Sequence, residues 1–438
     1  MTMASKYHSH RLTFIIKFKV SGFKFQDYIL LYFRHHILIL WAGLLLFSGL
    51  CHAQSSDSLI VQEMRSHGVT FSHDNHVHLL TNGREKFAAE FQAIRNARYS
   101  VHLEYFNFRN DSIGNALFRL LEQKAESGVK VRALFDAFGN KSNNRPLKKE
   151  HLEHMRQHGV EIEVFDPIGF PWINNVMHRD HRKIVVIDDS IAFIGGMNVA
   201  DYYIHGTPKI GAWRDMHCSI TGTEVSTLQK IFQRAWKQET GRDAVNDSSL
   251  ISPKGDMMVG IINREPHKTN KIMRQFYISC FDNAQDTIRL VNPYLSLTHS
   301  VKKAIKRALK RGLHIEIMMS QKSDIPMEPD ASFYHLHWMM KRGAKVYIFQ
   351  DGFHHTKVIT VDGKLTTVGS CNLDARSLAW DYECNAVIVN KEITRQLDQR
   401  FINDKAKSFL LTQESWDKWR SRWKKTYGWM AKMLSPWL

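Results

Sequence analysis

His181-Arg182-Lys183-Ile184-Val185-Val186-Ile187-Asp188 is followed by Gly195-Gly196-Met197-Asn198. The same frame returns as His355-Thr356-Lys357-Val358-Ile359-Thr360-Val361-Asp362, followed by Gly369-Ser370-Cys371-Asn372, with every matched position 174 residues later. A single H-x-K-x4-D is weak information. Two copies, each trailed at equal spacing by G-[GS]-x-N, mark an internal repeat.

The repeat extends upstream of both copies. SVHLEYFNF (100–108), GVKVRALFD (128–136) and GVEIEVFD (159–166) have counterparts in TIRLVNPYL (287–295), GLHIEIMMS (312–320) and GAKVYIFQD (343–351). Gly128 maps to Gly312 and Gly159 to Gly343, both 184 residues apart. Each segment alternates apolar residues and follows a helical stretch ending near glycine, the signature of a strand after a capped helix. Val301, Ile305, Ala308 and Leu309 give 299–311 one apolar face, with lysines covering much of the rest. The expected fold class is therefore α/β, with two tandem repeats, each a helix-covered mixed β-sheet. The boundary between them falls in the polar stretch 242–257. Between Phe165 and His181 the first half carries ten extra residues (within DPIGFPWINNVMHRD, 166–180), a candidate active-site loop.

On a strand, residues i and i+2 share a face, so His181 points with Lys183 and His355 with Lys357. An imidazole can attack phosphorus or move a proton near neutral pH. A lysine beside it supplies fixed positive charge for phosphoryl oxygens, and Asn198 and Asn372, after tight glycine turns, can donate hydrogen bonds to the same oxygens. One copy gives half a site. Two copies about a pseudo-twofold axis give a nucleophile on one side of phosphorus and an acid on the other. Asp188 and Asp362 complete the motif and are carried among the site residues, although their odd spacing from the histidine suits a structural role. His354 lacks the lysine spacing, and His178, His205 and His217 have no partner pattern.

This pattern resembles the HKD motif of the phospholipase D superfamily. His181 to Asp188, Trp213-Arg214-Asp215, Asn292-Pro293-Tyr294, Gly369 to Ser377 and Leu434-Ser435-Pro436-Trp437-Leu438 look like bacterial cardiolipin synthases. The resemblance covers about 79–438. It implies two phospholipase D-like domains with the active site between them, a covalent phosphohistidine, and no required metal or cofactor. It implies attack by His181, with His355 as general acid and then base. Lys183, Lys357, Asn198 and Asn372 would hold the phosphate. A carboxylate some 25–35 residues past each histidine would orient its ring, a place filled by Asp215 after His181 and Glu383 after His355. The implied activity is phosphatidyl transfer between phosphatidylglycerol molecules. Phospholipid hydrolysis and nucleic-acid cleavage by the same histidines are the alternatives, and a catalytically dead binding module is opposed by both intact motifs.

Composition fits this frame. The 438 residues are 43% hydrophobic and 24% charged, as in globular chains, with a formal net charge of +17. Such charge favours anionic lipid or nucleic acid, or is simply a solvated basic surface. The five cysteines form no C-x-x-C pair, so neither a zinc nor an iron–sulfur site is expected, and no disulfide is predicted. Ile37 to Leu50 is uncharged and precedes Cys51-His52-Ala53, which reads as a leader over 1–53, cleaved after Ala53 or retained as an anchor. The relatives usually carry two N-terminal membrane helices. The domains are then 54–245 and 256–410, followed by a basic, Trp-rich segment at 411–438. Trp416, Trp419, Trp423 and Met430 there suit either a membrane interface or a helix packed on the second repeat. Export or membrane association in the cell envelope is expected.

Overall fold

The computed structural model of the chain describes His36 and residues 54–169, 177–246, 248–325 and 328–434. The apolar run at 37–50 and the centre of the 166–180 loop lie outside the described residues. In the first half the strands are β1 (Phe71–Leu80), β2 (Ser100–Tyr105), β3 (Lys130–Asp136), β4 (Glu161–Phe165), β5 (Lys183–Ile187), β6 (Ile191–Gly195), β7 (Trp213–Arg214) and β8 (His217–Thr221). In the second they are β9 (Met257–Arg264), β10 (Thr287–Val291), β11 (His314–Ser320), β12 (Lys345–Phe349), β13 (Phe353–His354), β14 (Val358–Val361), β15 (Leu365–Gly369), β16 (Glu383–Val389) and β17 (Ser408–Leu410).

Among the described residues, fifteen strands form one sheet in the order β17-β12-β11-β10-β14-β15-β16-β9-β1-β8-β6-β5-β2-β3-β4. Apart from the terminal β17, the order is the same read outward from the central antiparallel pair β1–β9. This is a pseudo-twofold arrangement of two α/β repeats. In each, three parallel strands (β2-β3-β4 and β10-β11-β12) carry crossover helices, while the motif strand runs antiparallel beside the first of them.

The motif strands are buried on both faces, and each face serves a different core. Val185 and Ile187 pack into the first half's own core with Val101, Leu103 and Phe193. Ile184 and Val186 point instead into a core shared by both halves, with Val259, Val358, Val368 and Ala386. This shared apolar layer joins the repeats beneath the motifs. The expected helix appears at His299–Lys310, burying Val301, Ala304, Ile305 and Ala308.

Two expectations are corrected. The first helix, Ser56–Ser66, belongs by sequence to 54–245 but packs on the second half. Its Ile60, Val61 and Met64 join the core formed with Phe276 and Cys280, and Glu63 accepts a hydrogen bond from Asn283 at 3.1 Å. An amphipathic helix goes wherever apolar surface is uncovered. The second correction concerns Asp188 and Asp362, which leave the catalytic set. Asp188–Asp189 and Asp362–Gly363 all have positive φ and are the central pairs of tight turns, closed by the Ser190 N–H on the Ile187 carbonyl and the Lys364 N–H on the Val361 carbonyl. The Asp188 carboxylate accepts the backbone N–H groups of Arg98, Tyr99 and Ser100 at 2.8 Å each. Asp362 does the same for Gln285, Asp286 and Thr287 at 2.8–2.9 Å. Each motif aspartate thus builds a hairpin and ties it to the start of the neighbouring parallel strand. Asp362→Ala leaves three backbone donors without this acceptor and should lower the unfolding free energy by about 2–4 kcal/mol, read from urea unfolding.

Candidate active site

The site is built where the two motifs face each other across the pseudo-twofold. Asp180 forms a parallel bridge with Tyr382, and the His181 N–H donates to the Tyr382 carbonyl at 3.0 Å. Equivalently, β13 runs parallel to β7, and the His355 N–H donates to the Arg214 carbonyl at 2.6 Å. Tyr382 and Arg214 are the residues directly before Glu383 and Asp215. Each histidine is therefore held against the segment that carries the other half's carboxylate.

The ring contacts follow. His181 Nδ1 lies 3.0 Å from Glu383 Oε1, and His355 Nδ1 lies 2.7 Å from Asp215 Oδ2. The sequence pairing of His181 with Asp215 and His355 with Glu383 is thus corrected to a crossed one. The physical reason is strand order. β8 and β16, which follow or begin with these carboxylates, flank the central pair β1–β9, so their ends reach across the seam. A carboxylate on Nδ1 holds that nitrogen protonated and leaves Nε2 as the reactive atom.

Lys183 and Lys357 complete the cationic floor. Lys183 Nζ donates to the His181 carbonyl, and Lys357 Nζ lies 2.9 and 3.0 Å from the two ring nitrogens of His355. Both lysines are fully buried. Burial brings Lys183 down to about 7, against the pull of Glu383. It brings Lys357 to about 8 against Asp215 and Glu383. Burial, reinforced by Lys183 and Lys357, holds the His181 imidazole well below its ordinary value. Burial and Lys357 lower His355, while Asp215 opposes them. Burial also raises Glu383 to about 7 despite Lys183. Asn198 and Asn372 are buried, and their Oδ1 atoms have no partner among the described residues. The facing motifs bring together two imidazoles and two lysine side chains, a set suited to a tetrahedral anion. Among the described residues no group of three or more His, Cys, Asp and Glu side chains is arranged to hold a metal ion.

Several supporting residues had no role in the sequence reading. Ser370 Oγ donates to Glu383 Oε2, holding the carboxylate on His181. Its counterpart is Gly196, where a Cβ would stand 2.4 Å from Asp215 Oδ1. Arg182, in the centre of the first motif, pairs with Asp180 at 3.0 Å and Glu104 at 2.6 Å. Buried His354 pairs with Asp404 at 3.1 Å, and Arg214 pairs with the same carboxylate. These clamps fix the chain on either side of the histidines. The visible signal was the difference between the two copies: Arg182 against Thr356, and Gly196 against Ser370. Phe106 meets the His181 ring edge-on at 5.1 Å, whereas Trp213, Tyr294 and Phe353 surround His355.

Residues 91–236 and 277–405 match the family described as "Cardiolipin synthase, PLD-like domain", one segment in each half. The cardiolipin synthase of Listeria monocytogenes is 33% identical over 374 residues, covering 84% of this chain and 77% of that protein. The cardiolipin synthase of Halalkalibacterium halodurans is 34% identical over 350 residues, covering 79% and 68%. Among solved structures, the phosphatidylserine synthase of Haemophilus influenzae has the same fold, with a TM-score of 0.66 at 13% identity, covering 86% of this chain and 100% of that one.

The crossed pairing has a direct spectroscopic readout. Asp215→Asn should shift the Nδ1 proton resonance of His355 and leave that of His181 in place, and Glu383→Gln should do the reverse. A shift of His181 on changing Asp215 would restore the pairing within each repeat.

Proposed function

The chain belongs to the phospholipase D-like cardiolipin synthase family, and on that premise we propose that it joins two phosphatidylglycerol molecules through a phosphohistidine on His181. What supports this reading above all is the pair of facing His–Lys motifs, each histidine carrying a carboxylate from the other half. His181 Nε2 attacks phosphorus and the bond to the headgroup glycerol breaks. The departing oxygen takes a proton from His355 Nε2. A hydroxyl of the second phosphatidylglycerol then gives its proton to His355 and attacks the phosphohistidine. Cardiolipin leaves, and His181 is neutral again. Lys183, Lys357, Asn198 and Asn372 hold the non-bridging oxygens as charge moves through the transition state.

The electrostatics suit these roles. His181, held well below its ordinary value by burial, favours the neutral ring with Nε2 free of a proton, as a nucleophile must be. Asp215, 2.7 Å from His355, stabilises the imidazolium that forms when this ring takes a proton.

The reading includes action at an anionic bilayer in the cell envelope. The C-terminal segment divides in two. The helix Gln413–Trp419 is a packing element, with Trp416 only 5% exposed and in contact with His337. The helix Arg422–Leu434 presents Trp423 at 74% exposure, Trp429 at 46% and Met430 at 52%, beside Arg422 and Lys424. Aromatic side chains among cations suit the headgroup level of a membrane. Among the described residues no helix is long and apolar enough to cross one.

Incubation of the purified chain with phosphatidylglycerol vesicles, followed by lipid chromatography, should show cardiolipin and free glycerol appearing together. His181→Ala and His355→Ala should each lower that rate by about 10³-fold or more, and the double variant should lose little further. Phosphatidic acid as sole product would move the assignment to a hydrolase, and efficient DNA cleavage to a nuclease. In co-sedimentation, Trp423→Ala with Met430→Ala should reduce binding to phosphatidylglycerol vesicles, and binding should fall further as salt rises. Unaltered binding in the double variant would remove this helix from the interface.

A further inference from the structure

The two halves match where they would touch phosphorus and diverge one residue beyond it. The isolated bridges Phe108–Val199 and Leu295–Leu373 occupy equivalent places, so Asn107 and Tyr294, the residues before them, are counterparts. In the first half Asn107 accepts a hydrogen bond from Asn143 Nδ2 at 3.0 Å, giving a neutral amide pair. In the second half the Tyr294 hydroxyl donates to the Asp324 carboxylate, giving an acid.

Tyr294 is well fixed. Its ring is 7% exposed, packs with Ile210 and Phe353, and meets the His355 ring edge-on at a centroid distance of 6.1 Å. The segment bearing Asp324 is tied down by Lys322, whose Nζ donates to the Ile210 carbonyl at 3.1 Å, and by Gln321, whose N–H donates to the Phe349 carbonyl at 2.8 Å. Asp324 itself is exposed to solvent, yet its charge is felt by both His355 and Lys357. An acceptor-only side chain is thus held at the mouth of the site on the His355 side.

We infer that Asp324, oriented by Tyr294, accepts a hydrogen bond from a second hydroxyl of the alcohol that enters or leaves beside His355, and so selects vicinal diols over monohydric alcohols and water. This rests on the phosphatidyl-transfer reading. In that reaction the leaving alcohol and the attacking alcohol occupy the same place, opposite His181, and both are glycerol units with a hydroxyl next to the reacting one. The reacting hydroxyl passes its proton to His355 as the phosphorus–oxygen bond forms and the phosphorus–nitrogen bond breaks. Its neighbour, one carbon further on, meets the carboxylate. The His181 side keeps the phosphatidyl group throughout and exchanges no alcohol, which fits the neutral amide pair there.

The test is a competition between radiolabelled glycerol and 1-propanol for the phosphatidyl group of phosphatidylglycerol in one vessel, with labelled phosphatidylglycerol and phosphatidylpropanol as products. The ratio is read within each preparation, so overall losses of activity cancel. Asp324→Asn and Asp324→Ala should each lower the glycerol-to-propanol ratio by about tenfold or more, the scale of a lost charged hydrogen bond. Tyr294→Phe should lower it less, because the carboxylate remains without its orienting hydroxyl. A wild-type ratio in both Asp324 variants overturns the inference while leaving phosphatidyl transfer intact. A wild-type chain that transfers to neither alcohol overturns phosphatidyl transfer, and this inference with it.

Discussion

The reciprocal clasp between each histidine and the other half's chain is the interaction on which the site depends. The His181 N–H binds the Tyr382 carbonyl and its ring binds Glu383, while the His355 N–H binds the Arg214 carbonyl and its ring binds Asp215. A backbone bond sets the height of the imidazole and the next residue's carboxylate sets its rotation. Neither half can orient its own histidine. The catalytic arrangement therefore exists only when the two repeats are docked, which the shared core of Val186, Val259, Val358 and Ala386 secures.

A phosphoryl group in transit has nearly equivalent surroundings on its two sides, and a duplicated half-site answers that geometry. The symmetry is kept for His, Lys and Asn and relaxed in the residues behind them. Ser370 and Glu383 stand where the first half has Gly196 and Asp215, and a serine at 196 would collide with the aspartate. The longer carboxylate receives a hydroxyl, and the shorter one sits directly against a glycine. Two histidines with the same neighbours can thereby differ in proton affinity, which a reaction needing one neutral and one proton-carrying ring requires.

The cost is a concentration of buried charge. Lys183, Lys357, Arg179, Arg182, Glu104, Asp136, Asp180 and Glu383 are all nearly or wholly inaccessible. Desolvation of such groups is repaid only by close pairing. The pairs are present: Arg179 with Asp136 at 2.8 Å, and Arg182 with Asp180 and Glu104. They hold the segments just before and within the first motif rigid. In the second half that task falls to His354, Asp404 and Arg214. Lys183 and Lys357 have these arginine and carboxylate clamps behind them.

The sequence by itself determined the duplication, the strand segments of both repeats and the two His–Lys pairs, His181 with Lys183 and His355 with Lys357, that come together between the halves. These are local facts. Alternation records which strand faces are buried, and equal spacing records that one structure was built twice. Tertiary structure alone decided the rest. Asp188 and Asp362 lie within the motif but serve hairpin turns, because a carboxylate at positive φ beside three backbone N–H groups binds backbone. The Ser56–Ser66 helix crosses to the other repeat because the uncovered apolar surface is there. Asp215 and Glu383 could be found by distance along the chain, but not assigned to a histidine. Their partners are set by which strand ends meet across the β1–β9 seam, and distance along a chain carries no record of which half a strand end will face.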